Sequence, residues 1–427
     1  MKLEIVKKNP VDSMEKLYAV LTLLLMTRPL WQLMIVRGVD VQFLMVVGLY
    51  CVAMRLVLNK PNRFVWIGSR DKLLLFLIFL VILSTAWSAD PSSTLKNSVT
   101  LLGGTFFGIY LAMRYSLREQ MQVFAWTLGI AAVLSLIVAV AFPAVGTQTA
   151  GGYTVWSGIY DHKNGLGRYM AISAILSWIL MMDSKKKWLL WGNFLFAIGL
   201  ILMARSATSL LSVIVTMSLL PIYRVWRWRN ARALPGIVII GLLAASIGII
   251  VLITSQDINL DLLFSALGRN PDNNTLQVRK ALWDIVVEKA KQRPWLGYGY
   301  GDAWIYTEGS YNLIWYGNIW EYKQAHNGFL EILLQLGLVG LVAMVYHILL
   351  GFHRGIKLAR LTKTKEALWV LAYLTILLLF NLTYSVYLGQ LTVPWTIYVS
   401  LTLSMCFQLA RIKKVSVSRT IDQSVST

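Results

Sequence analysis

Apolar runs of roughly 17 to 22 residues, bounded by Lys and Arg, recur along almost the whole chain. A helix needs about 20 such residues to cross ~30 Å of hydrocarbon. The runs fall near 17–35, 40–58, 73–88, 98–115, 121–142, 166–182, 188–204, 208–223, 236–254, 328–350, 367–382 and 391–409. Only 14% of the 427 residues are charged, against about 25% in soluble domains. The expected fold is an all-α polytopic membrane protein of about 12 transmembrane helices, forming one integral membrane domain over residues 1–427.

Charge distribution orients these spans, because Lys and Arg concentrate in cytoplasmic loops. With the N-terminus inside, most of the 40 basic residues fall in inside loops, such as Lys60/Arg63/Arg70/Lys72, Lys185/Lys186/Lys187 and Arg354/Lys357/Arg360/Lys363/Lys365. Both termini are then cytoplasmic. A net charge of +20 carried in short clusters between apolar runs points to membrane lipid and argues against nucleic acid. Cys51 and Cys406 lie within apolar spans, where a thiol acts as a small hydrophobe, and no Cys/His spacing suggests a metal site. No small-residue cleavage site follows the first apolar run, so a retained first helix is expected.

One long polar segment interrupts the pattern. Residues 255–327 lie between the ninth and tenth spans, on the extracytoplasmic side in this topology. Within them, Thr275 to Gln292 sets Leu276, Leu282, Ile285, Val286 and Ala290 among charges, the pattern of an amphipathic helix. Trp295-Leu296-Gly297-Tyr298-Gly299-Tyr300-Gly301 follows as a glycine-rich turn without the Lys-Ser/Thr of a phosphate loop.

Several residues invite a chemical reading, each beside a plainer one. His326 stands where the chain re-enters the bilayer; it suits a general base acting on a sugar hydroxyl, or it caps the tenth span. His347 and His353 fall at the cytoplasmic end and are poorer candidates. Arg279 suits a lipid-linked diphosphate, or is an ordinary solvated helix arginine. Arg205, Lys163 and Arg168 sit on the side that the topology rule leaves poor in basic residues, which favours a function. Ten Trp and Tyr between Trp295 and Tyr322, Tyr298 among them, either stack on sugar rings or form an interfacial belt. Glu331, about one turn past His326, either orients that histidine or faces a polar cavity. The outside loops hold no Asp-x-Asp, so neither a metal nor another cofactor is expected.

Four stretches together carry a resemblance. They are Trp87-Ser88-x-Asp90-Pro91; Gly158-Ile159-x-x-His162-Lys163-Asn164-x-x-Gly167; Thr275-Leu276-x-x-Arg279-x-x-x-Trp283 with Pro294-Trp295-x-Gly297-x-Gly299; and Ala325-His326-Asn327-Gly328-x-Leu330 continuing to Leu336-Gly337-Leu338-Val339-Gly340. The chain resembles the bacterial O-antigen ligase and Wzy-type polysaccharide polymerase family, and in particular its ExoQ-like exopolysaccharide polymerase branch.

The resemblance implies a GT-C-type glycosyltransferase of the bacterial inner membrane. Its donor would be an undecaprenyl-diphosphate-linked oligosaccharide and its acceptor a second glycan, and the resemblance raises a chain-length regulator protein as a further partner. The catalytic histidine maps to His326 and the loop arginine to Arg279. A second diphosphate-binding arginine corresponds to Arg205, displaced by two positions from the usual place after a serine, or to Arg168. His162, Lys163, Asn164, Asn327, Glu331, Trp283 and Tyr298 complete the expected substrate contacts. Polymerase is the leading expectation. A ligase acting on lipid A-core is the near alternative, and a flippase of lipid-linked sugar is the alternative from another class.

Overall fold

The computed structural model describes residues 13–27, 35–36, 39–150, 152–185, 187–226, 275–301, 313–315, 318–320, 324–390 and 392–425. The fold is mostly helical. In order come α1 (Ser13–Met26), α2 (Val41–Leu58), α3 (Pro61–Gly68), α4 (Lys72–Leu83), α5 (Pro91–Arg114), α6 (Leu117–Ala141), the single turn α7 (Pro143–Gly146), α8 (Lys163–Met181), α9 (Lys187–Met203) and α10 (Ala207–Trp226). Beyond residue 274 follow α11 (Thr275–Gln292), α12 (Gly328–Thr362), α13 (Lys365–Asn381) and α14 (Val393–Val425).

Among the described residues three two-stranded antiparallel hairpins qualify the all-α expectation: β1–β2 (Ile35–Val36, Val39–Asp40), β3–β4 (Thr147–Ala150, Tyr153–Trp156) and β5–β6 (Leu313–Trp315, Asn318–Trp320). In the second, Ala150 pairs with Tyr153, and Gly152 takes φ 77°, the left-handed region that glycine favours. A Gly-Gly dipeptide in the sequence between Thr- and aromatic-containing segments is a hairpin signal, but the strands are too short for their alternation to stand out against the apolar runs.

Helices overlie each expected span except 236–254, which falls outside the described residues. Among the described residues four helices can cross a membrane by length and composition: Leu117–Ala141, Ala207–Arg224, Gly328–Thr362 and Val393–Lys413. Leu44–Leu58 and Pro61–Gly68, bent by 104°, make a fifth if taken as one span. Lys72–Ala86 and Lys187–Met203 are shorter apolar helices. The chain is an integral membrane protein.

Local chemistry sets the helix ends. Asp90 accepts a hydrogen bond from Ser93 N–H (3.0 Å) and Pro91 takes the first helical position, so Asp90-Pro91 starts α5. Ser116 and Glu119 form a reciprocal capping box on α6, worth about 1 kcal/mol. Deeper in the bundle the fully buried Asp71 caps α4 and also receives His347 Nε2 (3.1 Å) and Arg354. His347 Nδ1 lies 2.7 Å from the Tyr398 hydroxyl. A buried carboxylate is tolerable only when paired in this way, and the network ties α4 to α12 and α14.

The feature that places the site is a break in α12. Gly337 has φ 65° and ψ −165°, which interrupts the helix. An unbroken helix would send the N–H groups of Leu338 and Val339 to the carbonyls of Leu334 and Gln335. Instead Leu338 N–H donates to Pro294 O (2.7 Å) and Val339 N–H to Trp295 O (3.2 Å). The released carbonyls of Leu334 and Gln335 accept from Tyr298 N–H and Gly299 N–H, both at 3.0 Å. All four backbone groups are thus repaired by the glycine-rich turn, which a Cβ at Gly337 would push away. Trp87 adds a second hold, donating from Nε1 to Leu296 O (3.0 Å).

Gly337→Ala, forced to a positive φ and against the Trp295 backbone, is expected to cost roughly 1–3 kcal/mol. The check is thermal unfolding of the detergent-solubilised protein. Gly199→Ala, whose Cβ meets nothing within 4 Å, serves as the neutral control.

Candidate functional site

His326 has φ 50°, a left-handed conformation that costs a non-glycine residue roughly 1–2 kcal/mol. The flanking backbone holds it there. On one side Ala325 N–H donates to Glu331 Oε2 (2.6 Å) and Ala325 O accepts from Trp283 Nε1 (2.9 Å). On the other, Asn327 caps α12, its Oδ1 accepting from Phe329 N–H (3.0 Å) and Leu330 N–H (3.1 Å). Glu331 is buried, and it also accepts from Gln335 Nε2 (2.6 Å) and Ser385 Oγ (3.3 Å). Its carboxylate therefore acts on the peptide that presents His326.

Trp283 explains how the polar insertion reaches this point. α11 buries Leu282, Trp283, Val286 and Ala290 and exposes Asp284, Glu288 and Lys291. Leu282, Trp283 and Val286 form, with Tyr298, Ala325, Leu330 and Leu334, a small apolar cluster separate from the main core. Arg279 precedes Trp283 by four residues and so shares its face of the helix. Docking Trp283 on Ala325 delivers Arg279 to His326.

The third wall is the start of α8. His162 caps this helix, with Nδ1 accepting from Asn164 N–H (3.1 Å). Asn164 Oδ1 accepts from Ser206 Oγ (3.3 Å), tying α8 to the start of α10. Arg168, in the second turn, lays its guanidinium over the Tyr384 ring at 3.5 Å, and the same ring meets His326 edge-on at 6.0 Å. Arg168 Nη1 is buried without a hydrogen-bond partner among the described residues.

Electrostatically the groups around this imidazole are cationic or basic. Burial, then the charges of Arg279, His162 and Arg168, pull His326 down to about 4. The imidazole is neutral at physiological pH, and among the described residues no hydrogen bond occupies its ring nitrogens. A neutral base beside guanidinium groups can take a proton from one substrate group while holding an anionic neighbour.

The expected site residues thus separate by place. His326, Arg279, His162 and Arg168 come together, with Lys163 and Asn164 beside them at the start of α8. Arg205 instead stacks on Tyr153 of the second hairpin at 4.1 Å. Trp283, Asn327 and Glu331 shape the backbone around His326. The Tyr298 hydroxyl donates toward Lys289 O and Gln292 Oε1, both at 3.1 Å, within the docked loop. Sequence reasoning passed over Tyr384, Ser385 and Asn381, whose positions in a short turn after an apolar helix carry no local signal.

Carbethoxylation of His326 requires the neutral ring, so its rate should stay flat well below pH 6 and fall only near about 4. Arg279→Gln removes one depressing charge and should move that midpoint upward. A wild-type midpoint near the ordinary ~6.5 would contradict the electrostatics described.

Residues 191–345, from α9 into α12, match the family model described as O-antigen ligase. The chain is also 24% identical over 322 residues to the exopolysaccharide production protein ExoQ of Rhizobium meliloti (strain 1021), covering 71% of this chain and 68% of that protein. The family segment contains Arg205, Arg279, Trp283, His326 and Gly337. The resemblance carried by the motifs therefore stands: this membrane protein has an O-antigen ligase family segment and is similar to an exopolysaccharide production protein over most of its length.

Proposed function

We propose that the chain is a polysaccharide polymerase that joins undecaprenyl-diphosphate-linked oligosaccharide repeat units on the outer face of the bacterial inner membrane. The observation that carries this reading is the neutral His326 enclosed by Arg279, Arg168 and His162. The similarity to an exopolysaccharide production protein favours polymerisation. The family description favours, as a second reading, a ligase that transfers the same donor to lipid A-core. In both, about twelve spans in a GT-C-type arrangement carry the chemistry, both termini face the cytoplasm, and residues 255–327 lie on the extracytoplasmic side.

In the proposed reaction His326 takes the proton of an acceptor sugar hydroxyl. The hydroxyl oxygen bonds to the anomeric carbon of the donor as the bond from that carbon to the diphosphate oxygen breaks. Undecaprenyl diphosphate leaves with the bonding pair, and His326 releases the proton to water. A single displacement inverts the anomeric centre. Charge develops on the leaving diphosphate, and in this reading Arg279 and Arg168 offset it, so that arginine does the work without a metal ion.

The donor also tunes the base. Its negative diphosphate offsets the arginine charges that depress His326, so the imidazole gains proton affinity once donor is bound. The acid limb of kcat/KM, which reports the free enzyme, should therefore lie below that of kcat, which reports the bound complex.

The decisive experiment supplies purified protein in nanodiscs with undecaprenyl-diphosphate-linked repeat units and EDTA, and reads lipid-linked oligomers on a gel. A ladder is expected, lost in His326→Ala and slowed roughly 10²–10³-fold in Arg279→Ala, the scale of removing one preorganised charge-stabilising donor. Transfer only after lipid A-core is supplied would favour the ligase. A full ladder from folded His326→Ala would sink both readings.

A further inference from the structure

Tyr384 joins two groups of the site that arise far apart in sequence. It lies in the turn after α13, where Tyr384 N–H donates to Phe380 O at 2.9 Å. Asn381 builds this turn: its Oδ1 accepts from Val386 N–H and Tyr387 N–H, both at 3.0 Å, and its Nδ2 donates to Leu377 O at 2.8 Å. The turn is then fixed against the His326 segment at two points. Ser385 Oγ donates to Glu331, the carboxylate that holds Ala325. Gly328 lies against Asn381 so closely that a Cβ would strike its Oδ1. The ring of Tyr384 has little freedom to be anywhere else.

On this frame the half-buried ring meets Arg168 on its face and His326 in a T-shaped contact with centroids 6.0 Å apart. A guanidinium stacked on an aromatic face is held flat, with its N–H groups directed outward around its rim. One of those nitrogens, Arg168 Nη1, has no partner among the described residues. Without the ring, Arg168 has a long side chain to reorient, and nothing else described on that face holds it beside His326. The Tyr384 hydroxyl, by contrast, makes no hydrogen bond among the described residues, so the ring carries the interaction.

We propose that Tyr384 is the positioning residue of the site: its ring sets the Arg168 guanidinium and the His326 imidazole in one geometry, so that diphosphate and acceptor hydroxyl are held in register. The proposal rests on the polymerase or ligase reading above, and deepens it by assigning Arg168, through Tyr384, to the diphosphate.

The test uses the full chain in nanodiscs with undecaprenyl diphosphate as the binding probe and the lipid-linked repeat unit for turnover. Tyr384→Phe keeps the ring and should bind and turn over within about twofold of the wild type. Tyr384→Leu should weaken probe binding and lower kcat by roughly 10²-fold, the scale of a misplaced reacting group. Its effect on probe binding should vanish in an Arg168→Ala background, because the ring acts through that arginine. A merely structural tyrosine would not show this coupling. If Tyr384→Leu fails to insert, Tyr384→Met, of similar flexible bulk without a π face, takes its place.

Three results would overturn the proposal: near-normal binding and turnover in the ring-deleted variant, multiplicative losses with Arg168→Ala, or equal damage from Tyr384→Phe, which would put the hydroxyl on substrate. A full ladder from His326→Ala would fail the functional reading instead, so the two failures are distinguishable.

Discussion

Four backbone hydrogen bonds at the break in α12 underlie everything else at this end of the molecule. A helix interrupted in an apolar setting exposes donors and acceptors that cannot be left unmet, because each orphan costs several kcal/mol. Here Pro294, Trp295, Tyr298 and Gly299 meet them. The glycine-rich turn therefore works as the missing piece of a helix, with a geometry set by the helix ladder. Because the turn follows α11 directly, fixing it also fixes where that amphipathic helix can dock.

From that anchor the site is assembled by short-range interactions between distant segments. Trp283 grips Ala325 O while Glu331 grips Ala325 N–H, so both polar groups of one residue hold the strained histidine beside it. Strain at His326 is stored locally and sustained by packing elsewhere. Burial, and then two arginines and a second histidine, keep the His326 imidazole neutral. In the proposed reaction a diphosphate gains twice from these groups, by direct attraction and by restoring the basicity of the proposed base.

Much of this was legible in the amino-acid order, and the reasons differ by element. Apolar runs locate helices well, because a lipid-exposed backbone must pair its own polar groups. The alternation of apolar and charged residues from Thr275 to Gln292 marked an amphipathic helix, and a helix is found over that range. Motif residues that looked alike on paper then divided in space. Trp87, Pro294, Gly299 and Gly337 lock the α12 break, whereas His162, Arg168, Arg279 and His326 meet at the site. Charge topology treated Arg168 and Arg205 alike. Their aromatic partners, Tyr384 and Tyr153, separated them, and no one-dimensional pattern holds that information. Tyr384 was invisible for the same reason: one tyrosine beyond an apolar helix reads as an interfacial anchor.

The small apolar cluster of Leu282, Trp283, Val286, Tyr298, Ala325, Leu330 and Leu334 stands apart from the main core. Its cohesion is correspondingly its own. A helical bundle can stay intact while seven side chains come undone, since local opening needs only the free energy of the unit that opens. Spectroscopy that counts helices would then register almost nothing, although the arginine on α11 had left the histidine. An intact bundle and an assembled site are separate conditions for this molecule.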